Sequence, residues 1–292
     1  MLDINVKDVS LVLEGGTFRT VFTMGILDAF LDAGIILPHI SGVSAGITYA
    51  GSYIAQQRGR NIHIIKTYRR DKRYVGARNF LSDRSLFGLK FAYDKVTNEL
   101  VPFDWEKFRS YKGTMAVGVT NARTGEIEYM DGLAMDNSCR MLQATCAIPM
   151  LFPAIEIDGQ YYYDGGVCEP ITIRKAEQDG YRKHIIIMTR EKGYVKEQDR
   201  SNVMAARWMK KRYPNMVQPL LMRHDYYNAQ VAYCEELEAK GQALLFRPDH
   251  ALASMEKDME KIQEGYEMGY RQAMERMEEI RAFCGLTEAA QE

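Results

Sequence analysis

The chain has 292 residues, enough to bury a large core but short for two full domains. Its apolar fraction of 46% and charged fraction of 26% are typical of a soluble globular protein, and no segment is apolar over the length that spans a bilayer. The formal net charge of −1 gives no overall attraction to nucleic acid. We therefore expect one catalytic body that binds no nucleic acid and is not an integral membrane protein.

The five cysteines are odd in number, widely spaced and free of CxxC or Cys/His patterns, which argues against a disulfide framework and against a zinc site. Residues 1–16 lack the basic and apolar regions of a signal peptide and run directly into an apolar segment. These features predict a cytoplasmic protein. They leave its oligomeric state open.

Two strand-turn-helix units open the chain. The apolar run Val9–Leu13 predicts a strand, the glycines after it predict a turn, and residues 20–33 predict a helix because apolar side chains recur at helical spacing. The second unit repeats this plan, with a strand over residues 36–41 and a helix over residues 47–57. Two such units in series predict a parallel sheet covered by helices.

A basic, aromatic stretch follows. Residues 58–110 are interpreted as an irregular excursion that covers the sheet edge or the active site. Residues 114–120 and 126–130 then predict a hairpin, and Asp136 is placed to cap a helix that runs to Thr145.

The remaining elements complete the expected architecture. In chain order the sequence predicts a strand over residues 160–163, a helix over 173–179, a strand over 184–189, a strand near 242–246 and a helix over about 254–283. We therefore expect a three-layer α/β/α fold with a mainly parallel central sheet. Its catalytic body is expected over residues 1–195, and a C-terminal helical extension over residues 196–292.

The pentapeptide Gly42–Gly46 fits the pattern G-x-S-x-G, in which a tight strand-to-helix turn raises a serine hydroxyl into a cleft. Its place between a predicted strand and a predicted helix is the context that this chemistry requires, because backbone amides and the helix N-terminus then lie beside the hydroxyl. We predict that Ser44 is a nucleophile. The alternative is an ordinary tight turn.

The first glycine turn, within residues 14–20, also lies at a strand end and opens a helix, so its amides can bind an anion. In acyl transfer that anion is the oxygen of the tetrahedral intermediate, and one well-placed donor contributes about 3 kcal/mol. Dinucleotide binding is the competing interpretation. It is weakened because no acidic residue ends the second strand, where a ribose would require one.

Asp164 follows a predicted strand and is itself followed by two glycines, whose lack of side chains lets the carboxylate approach another loop. Taken alone, an Asp-Gly pair usually marks only a turn. The order and spacing of the motifs change that interpretation.

Together these motifs resemble the patatin-like phospholipase family over about residues 9–190. Residues 9–27 resemble its oxyanion block, Gly42–Gly46 its nucleophile elbow and Asp164–Gly166 its D-G-[GA] block. Residues 144–149 resemble its A-S-x-x-x-P block, with Thr145 in place of the serine. Four blocks in order make a specific signal.

The resemblance implies hydrolysis of the carboxyl esters of lipids by a Ser-Asp dyad, in which Asp164 deprotonates Ser44 and an acyl-enzyme forms. It implies no metal and no organic cofactor. The expected oxyanion donors are the amides of Gly15, Gly16, Thr17 and Ala45. Support for these loops is expected from Arg19, Gly42, Gly46, Pro149, Gly165 and Gly166.

The chain departs from the family pattern at Thr17 and Thr20, where the family has glycine. If residue 17 needs a positive φ, a β-branched side chain is strained there, and the oxyanion hole is weaker or differently shaped.

Three other functions stay open. The same dyad can pass its acyl group to an alcohol in a transacylase. A Ser-His-Asp triad, as in α/β-hydrolases, can use His184, His224 or His250. The chain can also be a non-enzymatic lipid-binding module on the same scaffold.

The basic stretch within residues 58–110 suggests peripheral contact with membrane lipid. Its arginines, among them Arg69 and Arg70, can gather anionic head groups while its aromatic side chains lie at the interface. The alternative is a solvated charged surface.

Overall fold

The computed structural model describes residues 2–286, so residues 287–292 of the expected extension lie outside the described residues. One mixed sheet runs through the molecule in the order β5-β6-β3-β2-β1-β7-β8, and β4 also pairs with β3. Its strands are Val9–Leu13 (β1), His39–Val43 (β2), Thr114–Asn121 (β3), Ile127–Asp131 (β4), Ile155–Ile157 (β5), Gln160–Asp164 (β6), Lys183–Ile187 (β7) and Ala243–Phe246 (β8). Strands β3, β2, β1, β7 and β8 pair in parallel, whereas β4, β5 and β6 pair antiparallel.

Helices connect and cover the strands. The α-helices are Val21–Asp32 (α1), Ser44–Ile54 (α2), Arg60–Tyr68 (α3), Asn79–Ser82 (α4), Trp105–Ser110 (α5), Arg140–Thr145 (α6), Ile173–Gln178 (α7), Arg200–Met209 (α8), Val217–Ala239 (α9), Met259–Glu275 (α10) and Met277–Phe283 (α11). Short 3-10 helices span Thr17–Thr20, Gly132–Ala134, Gly165–Val167 and Pro214–Met216, and a π-helix spans Lys90–Leu100.

Side chains of the central strands alternate between two cores, as the pleat of a strand requires. Leu11 of β1 packs in the core that contains Phe22 of α1, whereas its neighbour Val12 packs in the core that contains Tyr227 and Val231 of α9. Helices therefore cover both faces of the sheet. The expected three-layer α/β/α fold with a mostly parallel sheet is confirmed.

Helix α10 packs directly on α1 through glycines. A β-carbon added at Gly25 of α1 would lie 2.0 Å from the carbonyl oxygen of Tyr266, and one added at Gly269 of α10 would lie 2.0 Å from that of Phe22. The Tyr266 hydroxyl also donates a hydrogen bond to Asp28 at 2.8 Å. Helix α10, which lies in the expected extension, thus packs in one layer with α1 of the expected catalytic body. The domain boundary at residue 195 stays a prediction.

Two predicted elements begin later than expected. Strand β2 begins at His39 rather than at residue 36, because the amide of Leu37 donates to the Tyr53 hydroxyl at 3.0 Å instead of to a neighbouring strand. Asp136 does not cap α6, since its carboxylate accepts hydrogen bonds from Ser138 in a local turn and the helix begins at residue 140.

Two further predictions were wrong in type or extent. Residues 58–110 are largely helical rather than irregular, and burial of Ile62 and Ile65 on one side of α3 gives a physical reason. The expected terminal helix begins only at Met259, after Asp258 caps it, and is interrupted at Arg276. Among residues 2–286, no helix combines the length and the apolar character needed to cross a bilayer.

Gly269→Ala and Gly25→Ala are expected to destabilise the protein. The added methyl group would meet the backbone of the partner helix, and overpacking of this kind costs about 1–3 kcal/mol. The control is Gly51→Ala in α2, where the nearest atom would be 3.6 Å away. This control should be neutral or stabilising, because alanine favours a helix over glycine by about 1 kcal/mol. Denaturant unfolding measures the difference, and equal stability of the three variants would contradict close packing of α1 and α10.

Candidate active site

Strand β3 brings the two predicted catalytic residues together. Strand β2 ends at Val43, which pairs with Gly118, and β6 ends at Asp164, which pairs with the next residue, Val119. Since Ser44 follows Val43 directly, the hydroxyl and the carboxylate leave the sheet side by side. Interaction with the nearby Ser44 hydroxyl is accordingly one of the influences that lower the pKa of Asp164.

The elbow holds Ser44 in an uncommon backbone conformation. Ser44 begins α2 with a φ of 55°, in the left-handed region that residues other than glycine rarely adopt. Its amide donates to Thr145 Oγ1 at 2.8 Å, and that hydroxyl in turn donates to the carbonyl of Gly118 at 2.6 Å. Thr145 therefore connects the nucleophile elbow to β3. It occupies the position where the A-S-x-x-x-P block has serine.

The loop after β1 lies against the elbow. A β-carbon at Gly15 would lie 2.8 Å from Ser44 Cβ, and one at Gly46 would lie 2.4 Å from the carbonyl oxygen of Glu14, so the approach requires glycine at both positions. Three of the predicted oxyanion residues, Gly15, Gly16 and Thr17, line a cleft together with Ser44. Among the described residues, the backbone amides of these three donate no hydrogen bond.

The other predicted site residues lie around this loop contact. The amide of Ala45 is in the first turn of α2, where an amide has no partner within the helix. Close contacts between the loops or with the sheet occur at Gly42, Gly165 and Gly166. Pro149 lines the same cleft as Ser44.

Thr17 has a φ of 54°, so the strain expected for a β-branched side chain at this position is present. The Thr20 hydroxyl donates a hydrogen bond to the carbonyl of Thr17. The amide of Phe18 donates to the carbonyl of Ser254 at 3.2 Å. These two hydrogen bonds hold the loop in a conformation that glycine would adopt without strain.

Thr189, just beyond β7, fastens the loop to the sheet. Its amide donates to the buried Glu14 carboxylate at 2.7 Å, and its hydroxyl donates to the carbonyl of Gly15 at 3.1 Å. Arg19 Nε lies 3.4 Å from the same hydroxyl. Burial raises the pKa of Glu14 and lowers the pKa of Arg19, while attraction between the two charges opposes both shifts. Arg19 therefore lies against the loop that it is predicted to support.

Asp164 is buried, and burial raises the pKa of its carboxyl group. Three interactions lower this pKa in opposition to burial. They are the interaction with the Ser44 hydroxyl, a 2.8 Å hydrogen bond from the amide of Gly166, and the positive charge of Arg223. Arg223 also donates from Nε to the carbonyl of Gly166 at 2.6 Å. Sequence reasoning missed both Arg223 and Thr189, since neither is part of a local motif.

Two cavities meet at Ser44. One, of about 120 Å³, is mainly apolar and extends between α2 and the 58–110 segment. Its aromatic lining comes from Tyr49, Tyr74, Phe87, Tyr93, Phe103 and Trp105. The other, of about 500 Å³, is a polar cleft bordered by the oxyanion loop, Asp164 and several cations. A molecule with an apolar chain and a polar head can occupy both on either side of the Ser44 hydroxyl.

None of the five histidines, all of them among the described residues, lines either cavity. His184 lies in β7, where Nδ1 forms a 2.8 Å hydrogen bond with the Ser10 hydroxyl. His224 and His250 each lie beside an exposed carboxylate. The structure therefore brings no histidine to Ser44, which argues against the Ser-His-Asp alternative.

Residues 11–176, more than half of the chain, match the model of the family described as "Patatin-like phospholipase". The chain belongs to this family. Membership supports a lipid acyl hydrolase function in general terms. Residues 213–285 match a second model, described as "Domain of unknown function (DUF6363)". Arg223 lies within that second segment.

The curated relatives are distant and longer. Uncharacterized protein YjjU of Escherichia coli (strain K12) is 24% identical over 198 residues, which are 62% of this chain and 52% of that protein. Lysophospholipase NTE1 of Coccidioides immitis (strain RS) is 24% identical over 184 residues, which are 60% of this chain and 11% of that protein. The chain thus spans about half of one relative and about a tenth of the other.

A solved structure, VipD from Legionella pneumophila, is similar with a TM-score of 0.47 and 15% sequence identity. The similarity covers 94% of this chain and 67% of that one.

Thr145→Ala is expected to lower the free energy of unfolding by about 1–3 kcal/mol, because it leaves the buried Ser44 amide and Gly118 carbonyl without their partner. Thr145→Ser is the matched control, since it keeps the hydroxyl and loses only a methyl group. Its stability should lie closer to that of the unmodified protein. Urea denaturation distinguishes the variants, and an equal loss in both would assign the effect to methyl packing.

Proposed function

We propose that this protein is a serine acyl hydrolase that cleaves carboxyl esters of lipids, with Ser44 as the nucleophile and Asp164 as its base. The observation that carries the proposal is the register of β3, which sets these two residues beside each other at the junction of an apolar cavity and a polar cleft. Membership in the patatin-like phospholipase family supports the same chemistry.

In the proposed reaction Asp164 takes the proton of Ser44 as the serine oxygen attacks the ester carbonyl carbon. The negative oxygen that forms receives hydrogen bonds from amides at Gly15, Gly16, Thr17 and Ala45. The carbon–oxygen bond of the ester then breaks, and Asp164 returns the proton to the departing alcohol. Water, deprotonated by Asp164, attacks the acyl-enzyme, and the released serine oxygen recovers its proton.

The environment of Asp164 suits it to this role. Burial makes the carboxylate a stronger base than an exposed aspartate, and the charge of Arg223 helps keep it ionised. Arg223 also fixes the Gly166 carbonyl, so we assign it a positioning role in the loop that carries the base.

The two cavities support a lipid ester as the substrate. We propose that the acyl chain enters the apolar cavity and that the alcohol portion lies in the polar cleft. The Coccidioides relative is named a lysophospholipase, and the apolar cavity at the serine is consistent with a substrate that has an acyl chain. Transfer of the acyl group to another alcohol uses the same dyad, and analysis of the reaction products distinguishes it from hydrolysis.

We propose peripheral membrane contact through α8 and through α4 of the 58–110 segment, where Leu81 is 90% exposed and Phe80 is exposed. Arg69 of that segment is buried and donates to backbone carbonyls of residues 255 and 256, so it is not available to lipid. In α8, Met204 is 54% exposed and lines the polar cleft, and Trp208 is 58% exposed. Exposed apolar side chains beside the cleft suit contact with a lipid surface.

Ser44→Ala and Asp164→Asn should each lower kcat/KM for 4-nitrophenyl butyrate by about a thousandfold or more, because each removes one half of the dyad. A fluorophosphonate probe should label Ser44 in the unmodified protein, as measured by mass spectrometry. His184→Asn, His224→Gln and His250→Gln are the controls and should keep activity. A folded histidine variant without activity would favour a triad, and absence of a Ser44 adduct in folded protein would favour a lipid-binding module.

The pH dependence should follow the raised pKa of Asp164. The base works only when ionised, so kcat/KM should be constant at pH values well above the pKa of Asp164 and fall as the pH drops through it, at a higher pH than the ordinary 3.8 would give. Arg223→Gln removes a charge that lowers this pKa, and should move the midpoint of the fall to still higher pH. Arg207→Gln, an exposed change on α8, should leave the midpoint in place. A midpoint that does not respond to Arg223→Gln would contradict the coupling.

A further inference from the structure

Four cations converge on the polar cleft that contains Ser44: Arg19, Arg190, Lys196 and Arg223. All four are half-buried, and they come from the oxyanion loop, the segment after β7 and helix α9. Three of them lie beyond residue 176, outside the part of the chain that matches the patatin-like model. The cluster is thus a feature of this chain that the family motifs do not predict.

The cations are close enough to affect one another. Burial, together with the charges of Arg223, Arg190 and Arg19, lowers the pKa of Lys196 to about 8. Positive charges held together in a partly buried cleft repel each other, so the arrangement costs free energy unless an anion offsets it.

Three carboxylates of the cleft, Glu14, Asp164 and Asp199, attract these cations at longer range, but none forms an ion pair with them. Among the described residues, no carboxylate lies within 4.0 Å of a nitrogen of any of these four side chains. The acids of the cleft are engaged elsewhere. Glu14 accepts the Thr189 amide, Asp164 contacts the nucleophile, and Asp199 accepts the Ser201 amide at the start of α8.

Aromatic rings hold two of the cations without using their hydrogen-bond donors. The guanidinium of Arg190 lies 4.2 Å from the ring centre of Tyr194, and Lys196 Nζ lies 5.8 Å from that of Tyr227. A guanidinium stacked on a ring keeps its N–H groups for a planar anion, and phosphate oxygens match them in pairs.

We propose that this cationic cleft binds the phosphate of an anionic head group, so that the preferred substrates are acyl esters whose alcohol portion carries net negative charge. The inference rests on the proposed function, because it assigns the alcohol side of the ester that Ser44 would attack. The acyl chain lies in the apolar cavity, and the phosphate lies among Arg190, Lys196 and the two other arginines.

Arg190 and Lys196 are the informative positions to change. Arg19 and Arg223 hold the oxyanion and Asp164 loops, so their loss would mix head-group binding with catalysis. Among the described residues, the side chains of Arg190 and Lys196 form no hydrogen bond to those loops, whereas Lys192 is an exposed cation of the same segment that does not line the cleft. Lys192→Gln is therefore the matched control.

The test compares two ligands that differ only by phosphate, 1-octanoylglycerol 3-phosphate and 1-octanoylglycerol, below their micelle concentrations. Calorimetry with Ser44→Ala protein measures binding without turnover, so the result does not depend on activity. The phosphate ligand should bind at least about tenfold more tightly, as charge-assisted hydrogen bonds to phosphate predict. Arg190→Gln with Lys196→Gln should remove most of that preference, each single change should remove part of it, and Lys192→Gln should retain it.

Equal binding of the two ligands, or a preference that survives the double substitution in folded protein, would overturn the proposal. Binding of inorganic phosphate as tight as that of 1-octanoylglycerol 3-phosphate would also overturn it, because the site would then serve free phosphate. Turnover in the Ser44-containing protein is measured separately. Failure to cleave either ester would reject the proposed function, whereas cleavage without preference for the phosphate ester would reject only the head-group site.

Discussion

Strand β3 sets the distance between Ser44 and Asp164, because β2 and β6 pair with consecutive residues along it. Ser44 and Asp164 are 120 positions apart in sequence. Ser44 directly follows the end of β2, and Asp164 is the last residue of β6. Backbone hydrogen bonds therefore fix the relative positions of the two residues of the proposed dyad, and side-chain packing only refines them. The left-handed backbone at Ser44 is maintained by the same register, since Thr145 joins its amide to Gly118 of β3.

The rest of the site adjusts the pKa of Asp164. Burial raises the pKa of Asp164, and the positive charge of Arg223 opposes that shift from a helix almost sixty residues further along the chain. The same helix belongs to the segment that matches the second family model. The C-terminal part of the chain also packs on the first helix through the contact of α10 with α1, and it supplies much of the lining of the polar cleft.

Local patterns in the sequence predicted the features that local patterns control. Three motifs each mark the end of a strand within a few residues: the apolar run of β1, the G-x-S-x-G elbow and the Asp-Gly-Gly turn. The candidate residues Ser44 and Asp164 could be predicted from the last two. Arg223 could not be predicted, because a single arginine in a 23-residue helix has no distinguishing neighbours and its position depends on how α9 packs on the sheet. Residues 58–110 were misjudged for a related reason: apart from the face of α3 that carries Ile62 and Ile65, much of this segment packs around the apolar cavity, a tertiary arrangement that the local sequence does not reveal.

The most direct test of the account is a crystal structure of the protein after reaction with an octyl fluorophosphonate, which mimics the tetrahedral intermediate. A covalent adduct is expected on Ser44, with the phosphonyl oxygen within hydrogen-bonding distance of the amides of Gly16 or Thr17 and of Ala45. The alkyl chain is expected in the apolar cavity, beside Tyr93 and Phe103. An adduct on another residue, or a phosphonyl oxygen that faces away from the glycine loop, would contradict the account.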